Sequence, residues 1–179
     1  MALKSSTEIK IINRGKYYLT PFQSHHIEEF EKVISPENTR EILLMGHKTI
    51  NEALHEMFNT AEVYLAREEG GDIIFVGGLW HSEDLEFPQL FALFSNAIVN
   101  NFAMLARGSK MLINFFDKTQ GGLCMTILSD YEDMLSWAAW LGFEPVGTVS
   151  ANNSTYVDFV RCNPNQKNVY DLSSRPVMH

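Results

Sequence analysis

A chain of 179 residues with 45% hydrophobic and 12% aromatic side chains has room for one compact domain with a substantial core and too little length for two. The formal charge of −8 argues against broad nucleic-acid binding, which draws its affinity from clustered Lys and Arg on the phosphate backbone. Cys124 and Cys162 give neither a disulfide framework nor a metal-ligand spacing, and read as reduced thiols buried in strands.

The opening Met1-Ala2-Leu3-Lys4-Ser5 lacks the apolar core of a signal peptide, and no apolar run approaches the roughly 20 residues of a membrane span, so a cytosolic protein is expected. Lys16 to Leu19 can form a first strand. Thr20-Pro21-Phe22-Gln23 has the spacing of a capped helix start, followed by a buried stripe of Ile27, Phe30 and Ile34 and an acidic outer face of Glu28, Glu29 and Glu31. Ser35-Pro36 restarts a helix that runs through Arg40 to Met45 and stops at Gly46. The next helix takes Thr49 as cap and Glu52 as its partner, with Ile50, Ala53, Leu54, Met57 and Phe58 as its apolar face.

Strands are expected over Ala61 to Arg67 and Asp72 to Leu79, joined through Gly70-Gly71, and again over Gln89 to Ser95. Val99 to Lys118 reads as the longest helix, with Phe102, Ala106, Ser109, Ile113 and Phe116 inward and Arg107, Lys110, Asn114 and Lys118 outward. Leu123 to Leu128 is a short apolar strand, and Ser129-Asp130-Tyr131-Glu132 has capping-box spacing ahead of a helix that buries Met134, Leu135, Ala138 and Leu141. Gly142 supplies a left-handed helix end and Phe143 an apolar anchor. Glu144 to Val149 and Thr155 to Arg161 are strand-like around the turn Ser150 to Ser154. Beyond Asn163 the chain is polar with scattered Val169, Tyr170, Leu172 and Val177, so the expected division is a domain over residues 1–162 and an arm over 163–179.

Strand, helix, Gly-Phe, strand, turn, strand from Leu123 to Arg161 resembles the C-terminal half of the GNAT N-acetyltransferase fold. Asn38-Thr39-Arg40-Glu41-Ile42-Leu43-Leu44-Met45-Gly46, Asn51-Glu52-Ala53-Leu54 and Trp137-Ala138-Ala139-Trp140-Leu141-Gly142-Phe143 are similar to marks of the phage internal virion protein A family, whose fold is GNAT-like. The resemblance covers roughly residues 16 to 161. It implies an α+β single domain with a mixed central sheet flanked by helices, found in the host cytoplasm during assembly and in the virion of a short-tailed phage, with other virion proteins as partners.

Chemistry is a separate matter from fold. GNAT enzymes hold the CoA pyrophosphate with a Gln/Arg-x-x-Gly-x-Gly/Ala loop, whose backbone N–H groups face the phosphates. The corresponding Phe94-Ser95-Asn96-Ala97-Ile98-Val99-Asn100-Asn101-Phe102 has no glycine, and Gly108 lies deep in the expected helix. Where many such enzymes place a proton-donating Tyr, four residues before the Gly of Gly-Phe, this chain has Ala138, and Tyr131 reads as a packing residue. Arg107, Lys110 and Lys118 read as a solvated face. Adjacent His25 and His26 are expected on different sides of a helix, and His47 and His55 too far apart on one helix to chelate. His81, Glu83 and Asp84 lack a fourth ligand. No catalytic, cofactor-binding or metal-binding residue is assigned. The expectation is a virion-associated protein without CoA chemistry, working through the acidic face of Glu28, Glu29 and Glu31 or through the 163–179 arm; the alternative is an N-acyltransferase that uses acetyl-CoA.

Overall fold

The apolar runs of this chain pair into one seven-stranded mixed sheet, and the helices between them cover both of its faces. The computed structural model describes residues 17–162 apart from 84 and 101; Lys16, Asp84 and the 163–179 arm lie outside the described residues. Strand β1 (Tyr17–Pro21) is followed by helices α1 (His26–Glu31), α2 (Pro36–Leu44) and α3 (Ile50–Thr60). The antiparallel run β2 (Ala61–Glu68), β3 (Ile73–Trp80) and β4 (Gln89–Phe94) then leads through a 3-10 turn at Asn96–Asn100 into α4 (Phe102–Thr119). Strand β5 (Gly122–Leu128), helix α5 (Glu132–Trp140) and the hairpin β6 (Glu144–Ala151) with β7 (Ser154–Cys162) complete the order. In space the strands run β1-β2-β3-β4-β5-β7-β6. Among the described residues only β4 and β5 pair in parallel, across the α4 crossover, as the expected strand and helix order requires.

Two cores result. Ile27, Phe30, Ile42, Leu54 and Met57 from α1 to α3 meet Val63, Leu65, Val76 and Leu93 on one face of the sheet. Leu105, Leu112, Ile113 and Phe116 of α4 and Ala138 of α5 meet Phe75, Leu79, Leu123, Met125 and Phe159 on the other. Leu105 and Leu112 thus replace Ala106 and Ser109 in the expected inward stripe of α4. The helix also starts at Phe102 and not at Val99, because the preceding residues close 3-10 bonds first.

The cap at Thr49 forms as the sequence suggests, with Glu52 N donating to Thr49 Oγ1 at 3.1 Å, and at the expected helix restart Ser35 caps α2, its Oγ accepting from Asn38 N at 3.2 Å. Two other expected caps do not form. Thr20 and Pro21 stay in β1, and Phe22 N donates to Val63 O at 2.9 Å, so sheet pairing outcompetes the cap and α1 begins at His26. Ser129 N donates to Thr155 O at 2.9 Å, which keeps Ser129 with β7; α5 starts at Glu132 with no side-chain cap. The hairpin strands reach closer together than the sequence suggests, because Asn152 and Asn153, both at positive φ, make a two-residue turn between Ala151 and Ser154. Of Gly70-Gly71 only Gly70 has positive φ.

A buried ion pair ties the second half together. Arg161 on β7 donates to Asp117 of α4 at 2.6 Å and to the Leu141 carbonyl at the end of α5 at 2.8 Å. With side chains 14% and 12% exposed, removing either partner leaves an uncompensated charge, a loss of about 3 to 5 kcal/mol. Gly142, at φ +85°, lies directly beneath: a Cβ there would run into Arg161 Nη1. Gly46 ends α2 at φ +100° with open space around it. Both Gly→Ala variants meet the left-handed backbone cost of about 1 to 2 kcal/mol, and Gly142→Ala should lose clearly more than Gly46→Ala in urea unfolding because it also displaces Arg161. Equal losses would show that Arg161 yields freely.

Candidate functional site

Parallel pairing of β4 and β5 is confined to one point, Gln89 opposite Cys124. Beyond it the strands diverge, and a cleft of about 680 Å³, its open mouth included, runs between them from one face of the sheet to the other. On the α5 side it is lined by Leu90, Met125, Met134 and Trp137, and on the α2 side by Glu41, Ile42, Met45 and Met57. Diverging strands leave backbone groups without a ladder partner, and those groups must bond elsewhere.

At the far end of β4 that partner comes from the chain itself. Ser95 N donates to Ile74 O on β3 at 3.0 Å, so by strand alternation Phe94 and Asn96 point toward β5. Residues 33–35, which connect α1 to α2, lie along this edge: Ser35 N donates to Phe94 O at 2.8 Å and Asn96 N to Val33 O at 3.0 Å. These bonds bracket an antiparallel bridge between Ile34 and Ser95. Phe94 N completes the set by donating to Asn38 Oδ1 at 2.8 Å.

Asn38 sits in the first turn of α2 and is 1% exposed. Its Oδ1 also accepts from Ser35 Oγ at 3.3 Å, and its Nδ2 donates to Glu41 Oε2 at 3.2 Å. Burial pushes the Glu41 carboxyl above its ordinary value, and the Asn38 bond only partly opposes this. Tyr131, at the mouth of α5, lines the same cleft. Its hydroxyl is pushed up to about 12 by burial and then by Glu37 and Glu41. Tyr131 thus packs against the core, as expected, and also lines the cleft. Trp137 Nε1 is buried with no hydrogen-bond partner among the described residues. The cleft thus joins apolar walls to a carboxyl and a phenol that both resist ionisation, a set able to hold or deliver a proton.

The other residues singled out in the sequence lie elsewhere. His25 and His26 lie side by side, with ring centroids 3.9 Å apart and tilted by 50°, in place of the expected divergence; α1 begins only at His26, so the pair spans its start. His26 is lowered by burial and by His25. His47 precedes α3 and sits 3.6 Å from Glu56, so it shares no helix with His55. No group of metal-ligating side chains occurs among the described residues. Lys110 lies over the exposed Trp140 ring at 4.1 Å. Cys124 and Cys162 form no disulfide among the described residues and are only partly buried, Cys124 Sγ donating to Phe87 O at 3.3 Å. Ala138 is core, wholly buried under α5.

No protein-family model and no curated protein matches the chain. Solved structures do. An N-acetyltransferase from Staphylococcus aureus Mu50 matches with a TM-score of 0.63 at 13% identity, over 83% of this chain and 99% of that one. A GNAT-family acetyltransferase from Bacillus anthracis gives 0.66 at 10% over 85% and 98%, and a Bordetella pertussis GNAT-family protein 0.64 at 15% over 84% and 98%. The fold is that of the GNAT acetyltransferases. These neighbours sit closer to the acyltransferase alternative than to a virion role, and none of them supports the phage resemblance. Against the GNAT pyrophosphate loop, the glycine-free segment here is a 3-10 turn whose first amides are committed: Asn96 N to Val33 O, Ala97 N to Ser95 Oγ at 3.2 Å and Ile98 N to Ser95 O at 3.1 Å.

Glu41 offers a test of the cleft's electrostatics. A carboxyl raised in the fold favours its neutral form, so stability is greatest below the ordinary value near 4.5 and falls as pH rises through the raised folded value. Glu41→Gln keeps an acceptor for Asn38 Nδ2 and removes the titration. Its urea midpoint should fall less than that of the wild type between about pH 4 and about pH 7. Identical pH profiles would contradict the assignment.

Proposed function

We propose that this chain uses the GNAT fold as a folded adaptor and performs no acyl transfer from CoA. The observation that carries this reading is the β5-facing edge of β4, where Phe94 and Asn96 are bonded to Val33, Ser35 and Asn38. A ligand added as a strand along this end of β4 would need that edge for its main-chain hydrogen bonds. The committed amides of Asn96, Ala97 and Ile98 support the same reading at the phosphate end, since converging free N–H groups are what a pyrophosphate requires. At the finer level we propose a virion-associated protein of a short-tailed phage, on the strength of the resemblance at Asn38–Gly46, Asn51–Leu54 and Trp137–Phe143. The 163–179 arm, or the face of Glu28, Glu29 and Glu31, would then meet another virion protein.

A second reading has its own observation. Glu41 and Tyr131 face one apolar cleft in a fold whose solved neighbours are acetyltransferases. In an N-acyltransferase Glu41 would take a proton from the attacking amine and Tyr131 would give one to the leaving thiolate.

Acetyl-CoA separates the two. A ligand at 100 times its dissociation constant stabilises a fold by about 2.7 kcal/mol, so millimolar acetyl-CoA should leave the melting temperature unchanged if the adaptor reading holds. A saturable rise, or turnover with an amine acceptor, would establish the enzyme. Deleting residues 163–179 should leave the melting transition nearly unchanged and abolish co-purification with virion proteins; a truncated chain that still co-purifies would remove the arm from the proposal.

A further inference from the structure

Glu41 is a largely buried acid in the cleft lining with no cation beside it. Its Oε2 accepts from Asn38 Nδ2 at 3.2 Å, and among the described residues no Lys, Arg or His pairs with it. The preceding Arg40 turns instead to Asp130, at 2.9 Å. Burial therefore disfavours ionisation of the Glu41 carboxyl without a positive charge of the chain to offset it. A carboxylate so placed calls for a counter-charge. Among the described residues no Lys, Arg or His and no second carboxylate lines the cleft. What surrounds Glu41 is aromatic: Trp80 and Phe91, with ring centroids 4.7 Å apart, on one wall, and Tyr131 and Trp137 on the other. Met45 and Met57 add soft, polarisable surface.

We propose that the cleft binds a quaternary ammonium group, with Glu41 as its counter-ion and Trp80, Phe91, Tyr131 and Trp137 as its aromatic wall. Aromatic faces carry a negative quadrupole that attracts a cation, most strongly at Trp and in desolvated sites. The carboxylate acts with the same sign. An anion finds no positive side chain in this lining, a polyamine finds a single acid, and a neutral apolar molecule leaves Glu41 as it was. One positive charge sheathed in alkyl groups suits both the rings and the acid, and the chain's formal charge of −8 favours its approach. A quaternary nitrogen has neither a hydrogen nor a lone pair, so it cannot be acylated. The proposal goes beyond the adaptor reading and does not depend on whether the fold transfers acyl groups.

The test titrates 15N-labelled full-length protein with choline and, separately, with its neutral isostere 3,3-dimethylbutan-1-ol, in which carbon replaces the charged nitrogen. The chain has three tryptophans, and their indole N–H signals report where a ligand sits. Trp80 and Trp137 line the cleft, whereas Trp140 stands 47% exposed outside that lining with Lys110 over its ring. Choline should shift the Trp80 and Trp137 signals saturably and leave Trp140 unmoved, and the isostere should bind at least about tenfold more weakly. Glu41→Gln keeps an acceptor for Asn38 Nδ2 and removes the charge; it should weaken choline at least about tenfold and leave the isostere unchanged. A variant with a damaged cleft would lose both ligands together, which separates misfolding from loss of the counter-ion. Equal affinity of the wild type for choline and the isostere would overturn the proposal. So would choline that shifts neither cleft tryptophan, or that binds Glu41→Gln as tightly as the wild type. A saturable effect of acetyl-CoA on the melting temperature would instead overturn the adaptor reading and leave this site standing.

Discussion

Everything in the candidate site depends on the parting of β4 from β5 after a single paired position, Gln89 with Cys124. A parallel pair held at one point must satisfy its remaining backbone groups elsewhere, and burial leaves no water to do it. This chain supplies residues 33–35 and the Asn38 amide. Leaving Phe94 N–H unpaired would cost about 1 to 3 kcal/mol, a large fraction of the stability of a domain this size. The bonds that complete the end of β4 are thus also bonds on which the fold depends.

The surroundings hold that arrangement rigid from both faces. On one side, α2 is fixed by its Ser35 cap and by Ile42 in the core, so Glu41 arrives at the cleft, and Asn38 at the end of β4, on a helix and not on a loop. On the other, the Arg161 to Asp117 pair and the Arg161 to Leu141 bond clamp α4, α5 and β7, which sets the position of Tyr131 and Trp137 at the cleft wall. Asn152 Nδ2 donates to Leu44 O at 2.8 Å, joining the β6–β7 turn to the end of α2. The surface pair Arg40 with Asp130 spans the same gap, yet at 60% and 56% exposure it contributes about 0 to 1 kcal/mol.

Much of the architecture was legible in the residues because local and tertiary preferences agree. Apolar strand runs, the helix restart at Ser35-Pro36, the Thr49 cap, and Gly142 after Leu141 all encode short-range events that the fold keeps. The sequence misled where a distant partner competes: Thr20-Pro21 and Ser129 have helix-start chemistry, but Val63 and Thr155 offer sheet hydrogen bonds that win. The candidate site was hardly legible. Asn38 and Phe94 are 56 positions apart, and neither pattern nor spacing in one sequence reveals that a first-turn asparagine will complete a strand edge. Tyr131 packs against the core as its sequence suggests, but its place on the cleft wall was not legible, because the cleft meets α5 at its start. The absence of glycine from 94–102 was the one site feature visible in advance, and the 3-10 turn there is its structural counterpart.

Amide hydrogen exchange of the wild-type protein tests the closed edge most directly. The Phe94 and Asn96 amides, bonded to Asn38 and Val33, should be as protected as the amides of the central β3–β4 ladder and open only with global unfolding. Exchange of Phe94 and Asn96 at the rate of frayed or solvent-facing amides, while the β3–β4 ladder stays protected, would mean that this end of β4 stands open in solution and is free to take an added strand.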